Sequence, residues 1–101
     1  MVKVVDNEND FLTQVSSGTT LVDFYADWCG PCRMLSPVIE KVAGEVPTVK
    51  FLKVNVEDLQ ALVEKMGISS IPTLILFKNG KEVDRFVGVK DAEFIKRFVS
   101  K

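Results

Sequence analysis

Two cysteines, Cys29 and Cys32, flank Gly30 and Pro31, and the chain has no others. At that spacing both sulfurs meet across one helical turn, so dithiol and disulfide lie a small motion apart. Histidine is absent. That removes Ser-His-Asp triads, Cys-His nucleophile pairs and histidine-based zinc sites. Acid–base work falls to Asp, Glu, Lys, Cys or the single Tyr. A four-ligand zinc site lacks two ligands here, which leaves only a site shared between two chains as the metal reading. Between a strand and a helix, the Cys-x-x-Cys spacing is a redox signature.

The surrounding elements supply that context. Leu21 to Tyr25 is apolar apart from Asp23 and reads as a strand covered on both faces. After Cys32, the residues Leu35, Val38, Ile39, Val42 and Ala43 recur at helical spacing, with Pro37 inside the pattern as an expected kink. Upstream, Lys3 to Val5 is a strand candidate, and Asp6 or Asn7 caps a helix burying Phe11, Leu12 and Val15. Downstream, Val49 to Val56 is a strand, and Asp58 caps a helix carrying Leu59, Leu62, Val63 and Met66 that stops at Gly67. Thr73 to Phe77 and Glu82 to Val87 are strands joined by the tight-turn pair Asn79-Gly80. Asp91 opens a last helix burying Phe94, Ile95, Phe98 and Val99. The order is βαβαβαββα. It predicts an α/β domain over 1–101, with a mixed five-stranded sheet flanked by four helices: three parallel strands and an antiparallel hairpin.

The helix that follows the first cysteine opens with unpaired amides and a partial positive charge, which favour a thiolate at Cys29. Pro31 fits the first turn, where a missing amide hydrogen matters little. Acidity alone does not make a good exchanger. Lowering a thiol from ~8.5 to ~7 raises its thiolate fraction about 16-fold at pH 7, while the lost basicity weakens attack about 5-fold, a net gain of about 3-fold. The larger effect is the second thiol: Cys32 attacks a mixed disulfide at Cys29 from within the same turn, an intramolecular step. A buried thiol needs a base, and Asp23, whose apolar setting raises its carboxyl pKa, is the candidate.

Val22-Asp23-Phe24-Tyr25-Ala26-Asp27-Trp28-Cys29-Gly30-Pro31-Cys32-Arg33-Met34, with Pro37 beyond it, resembles the active-site segment of the thioredoxin family. Ile71-Pro72-Thr73 resembles that family's cis-proline loop, and Phe77-Lys78-Asn79-Gly80 and Val87-Gly88 fit as well. The likeness runs along essentially the whole chain. Tyr25 stands where a second Trp is frequent, and Arg33 where Lys is frequent. This family is itself the usual example of a Cys-x-x-Cys thiol lowered to about 7, so the value used above is the family's own.

The resemblance implies a protein-disulfide reductase that maintains cell redox homeostasis. In it Cys29 is the exposed nucleophile, Cys32 the resolving thiol and Asp23 the proton carrier. It further implies that Lys53, by itself an ordinary edge lysine, modulates Asp23, and that Pro72 is cis against the cysteines. Gly30 and Pro31 support the pair, while Trp28, Ile71, Thr73, Val87 and Gly88 bind substrate. No cofactor is held; electrons come from NADPH through thioredoxin reductase. The implied partners are that reductase and disulfide-bearing proteins such as peroxiredoxins, methionine sulfoxide reductases or ribonucleotide reductase. A disulfide isomerase or oxidant, and an adaptor on the same fold with incidental redox chemistry, are the alternatives.

Composition bounds the rest. With 13 Lys+Arg against 14 Asp+Glu over 101 residues, there is no basic field for nucleic acid. The N-terminus turns polar at once and no apolar run is long enough for a bilayer, so the expected setting is the cytoplasm; the expected state is a monomer.

Overall fold

The computed structural model describes residues 1–101. The elements follow the expected order: β1 (Val2–Val4), α1 (Glu8–Val15), β2 (Thr19–Tyr25), α2 (Gly30–Glu45), β3 (Val49–Asn55), α3 (Gln60–Lys65), β4 (Thr73–Lys78), β5 (Lys81–Val87) and α4 (Ala92–Val99). The strands form one sheet in the order β1-β3-β2-β4-β5. β3 runs parallel to both β1 and β2, whereas β4 is antiparallel to β2 and β5 antiparallel to β4. No helix is long and apolar enough to cross a membrane.

Strand alternation divides the core in two. Leu21, Phe51, Leu74 and Leu76 point to one face, where α2 and α4 cover them with Leu35, Ile39, Val42, Ile95 and Phe98. Val22, Phe24, Leu52, Val54 and Ile75 point to the other, where α1 and α3 supply Phe11, Val15 and Leu62. The central strand β2 is thus covered on both sides, as its composition required. The helix α2 runs on through Pro37.

Several local expectations need correction. Asn7 alone caps α1, accepting from the Asp10 amide at 2.8 Å. Leu12 is exposed, because Phe11 and Val15, one turn apart, already define the buried stripe of this short helix. Asp58 does not cap α3. The Asn55 side chain accepts from Glu57 N and its carbonyl from the amides of Asp58 and Leu59. That turn carries Asp58 outward, and the helix begins later behind Leu59 with no side-chain cap.

The hairpin turn is as expected: Asn79 and Gly80 both have positive φ, 51° and 86°. A Cβ on Gly80 meets only ordinary contact, at 3.8 Å from the Ser16 backbone, so the backbone angle decides the outcome. Gly80→Ala is expected to destabilise the protein by about 1–2 kcal/mol in denaturant unfolding.

Candidate active site

The site stands where β2 ends and α2 begins. Cys29 is the N-cap of α2, in extended conformation, and its sulfur accepts a hydrogen bond from the Cys32 amide at 3.1 Å. Pro31 has no amide to offer, so Cys32 N is the donor that the first turn aims at this sulfur. Once the cysteine is reduced, the same donor favours the thiolate. A hydrogen bond to a charged acceptor contributes about 1.5–3 kcal/mol. Cys29 and Cys32 are joined in a disulfide, with their Cα atoms 5.2 Å apart.

Cys29 was expected to be the exposed member of the pair. Its exposure is instead 5 %, against 4 % for Cys32. In the disulfide both sulfurs are drawn in among Ala26, Tyr25, Val56 and Ile71. The Cys29 sulfur lies 4.0 Å from the Ile71 carbonyl oxygen. Trp28 is 65 % exposed, and Met34, Val87 and Val89 are exposed as well.

Facing the pair is the loop that enters β4. The Ile71–Pro72 peptide is cis and Pro72 is buried. The Ile71 N–H and C=O have no backbone partner, while the neighbouring Pro72 carbonyl accepts from Gly88 N at 2.9 Å. Gly88, with φ 98°, and Gly30 both face open space where a side chain would stand. Thr73 does not join this surface through its side chain. It is buried, and its hydroxyl donates to the Ser70 carbonyl, bracing the loop from behind.

Asp23 is 1 % exposed, and neither carboxylate oxygen has a hydrogen-bond partner. It shares the α2 face of β2 with Leu21, beneath the helix that carries Cys32. Burial raises its carboxyl from 3.8 to about 6, the charge on Lys53 pulling the other way. Lys53 is its register partner on β3. A small cavity of about 120 Å³ opens between Cys32, Arg33, Ser36, Tyr25 and Lys53.

Two supports carried no sequence signal. The Trp28 indole N–H donates to Glu57 Oε2 at 2.9 Å, across 29 residues of chain. The Arg33 guanidinium donates to the Asp27 carbonyl at 2.9 Å and ties the loop before the cysteines to the helix after them.

The thioredoxin family model matches residues 1–101. The chain is 54 % identical to a thioredoxin of Chlamydia caviae over 100 residues, 99 % of this chain and 97 % of that protein. It is 52 % identical to a thioredoxin of Chlamydia trachomatis over 101 residues, 100 % of this chain and 98 % of that one. The solved thioredoxin of Plasmodium falciparum superposes with a TM-score of 0.91 at 32 % identity, covering 97 % of this chain and 96 % of that one. With a disulfide at the mouth of α2 and the same five-stranded fold, the chain belongs to the thioredoxin family. It is a thiol–disulfide oxidoreductase acting on disulfide-containing proteins, a chemistry that needs no bound cofactor.

Proposed function

We propose that residues 1–101 work as one monomeric domain that reduces protein disulfides in the cytoplasm and so maintains cell redox homeostasis. Cys29 thiolate attacks a substrate disulfide, forms a mixed disulfide and releases one substrate thiolate. Cys32, its proton taken by Asp23, then attacks the Cys29 sulfur. That closes the Cys29–Cys32 bond and frees the second substrate thiol. Two electrons pass to the substrate. The observation that carries this reading is the Cys32 amide directed at the Cys29 sulfur from the start of α2.

Trp28, Ile71, Val87 and Gly88 receive the substrate chain around that sulfur, supported by the exposure of Trp28 and Val87 and by the unbonded Ile71 main chain. Gly30 and Pro31 keep the first turn narrow, Pro72 backs the pair, and Lys53 tempers Asp23. The disulfide is reopened by electrons from NADPH delivered through a thioredoxin reductase, and peroxiredoxins, methionine sulfoxide reductases and ribonucleotide reductase are the substrate classes to test.

The experiment is NADPH-coupled insulin reduction with a thioredoxin reductase. Cys29→Ser is expected to abolish turnover. Asp23→Ala is expected to slow resolution of the mixed disulfide, most visibly near pH 7, where Asp23 is ionised with its midpoint at about 6 and a thiol of ordinary pKa ~8.5 still needs a base. Unchanged turnover in Cys29→Ser overturns the reductase reading, and an Asp23→Ala rate equal to wild type at every pH removes Asp23 from the mechanism.

A further inference from the structure

Lys53 pairs directly with Asp23 in the register of β3 on β2, and both residues leave the sheet on the α2 face. A lysine there is the obvious counter-ion for a buried carboxylate, and such a partner lowers a carboxyl pKa by roughly 1–3 units. The pair is not made. None of the ion pairs in the protein joins them, and both Asp23 oxygens are unpartnered.

The ammonium is held elsewhere. Lys53 Nζ sits 4.4 Å from the centroid of the Tyr25 ring and donates to Ser36 Oγ at 3.5 Å. Tyr25 is two residues beyond Asp23 on the same face of β2, and Ser36 sits one turn beyond Cys32 on α2. An aromatic face attracts a cation most where water is partly excluded. We propose that Tyr25 is a positioning residue for thiol–disulfide exchange: its ring face, with the Ser36 hydroxyl, holds the Lys53 ammonium off Asp23 and leaves that carboxylate unpaired for proton transfer. The inference rests on Asp23 as the proton carrier.

Asp27 and Arg33 are the other charged residues that line this cavity, and no ion pair joins Asp27 to Lys53. Arg33 is turned to the Asp27 carbonyl, β4 sets apolar Leu74 opposite Asp23, and Cys32 is in the disulfide. The Tyr25 phenol is pushed up by burial and by the carboxylates of Asp27, Asp58 and Asp23. The ring therefore stays neutral and takes no proton itself.

The test is a pH titration of the Asp23 carboxyl by carbon NMR in the oxidised protein, where Cys32 does not titrate. Tyr25→Leu is expected to lower the Asp23 midpoint by about 1 unit, because the freed lysine moves onto the carboxylate. Tyr25→Phe, which keeps the ring face and loses only the hydroxyl, is expected to leave the midpoint where it is. In a Lys53→Gln background, Tyr25→Leu is expected to do nothing. In the unsubstituted protein, the Lys53 ε-methylene protons are expected upfield, shifted by the ring. An unshifted Lys53 methylene overturns the proposal without any variant, and so does an unchanged midpoint in folded Tyr25→Leu. Failure of the proton-carrier reading is distinct, since it is read from Asp23→Ala turnover and not from the midpoint.

Discussion

A Cys32→Ser variant mixed with a disulfide-bearing protein is expected to stop halfway, as a stable one-to-one covalent adduct through Cys29. In the proposed exchange, attack by Cys29 draws on the Cys32 amide, which serine keeps, so adduct formation is expected to proceed. Release requires a second thiol within the same turn. An oriented intramolecular group acts at effective concentrations on the order of 10⁵ M or more, so millimolar external thiol replaces very little of it. Turnover in the coupled assay is expected to fall by at least about 10³-fold. Non-reducing electrophoresis and intact mass measure the adduct. Rapid spontaneous release would mean that the substrate, not Cys32, breaks the mixed disulfide.

Asp23 yields the second large effect, on stability. Its carboxyl titrates at about 6 in the folded protein against 3.8 in an exposed chain. Below 3.8 the group is protonated in both states. As pH rises from there, the unfolded chain ionises while the folded one keeps its proton up to about 6. Stability is therefore lost across that window and stays lower above it. The difference of about two units corresponds to about 3 kcal/mol. Urea unfolding of the oxidised protein checks this. Wild type is expected to lose about 3 kcal/mol relative to Asp23→Ala between pH 3.5 and pH 7.5. The offset at low pH reads the cavity left by the side chain, and only the change with pH reads the charge. A difference independent of pH would show that the carboxyl is not held neutral by burial.

Much of this was legible in the residues, for identifiable reasons. Helix and strand periods are local, so Leu35 to Ala43 and Thr73 to Phe77 declared themselves, and Asn79-Gly80 demanded two left-handed residues. The Cys29 and Asp23 arrangement followed from one strand running straight into one helix. Sheet order was not legible, because β3 lies between β1 and β2 through connections whose lengths suit several orders. Asp58 misled because its caplike identity was outweighed by the turn that the Asn55 side chain closes. The closure over Cys29, the Glu57 contact of Trp28 and the place of Lys53 on the Tyr25 ring depend on distant segments meeting, and no spacing records that.

If substrate docks on the free main chain at Ile71, as proposed above, that docking bears on how choosy the protein is. An amide and a carbonyl are the same on every polypeptide, so a docking rule written in those groups reads extension and ignores spelling. Discrimination between clients then shifts to whether the segment bearing their disulfide can peel away from its own fold and lie straight. On that proposal, loosely held loops qualify and rigid bridges do not, which makes local mobility in the client, rather than a consensus motif, the passport for reduction.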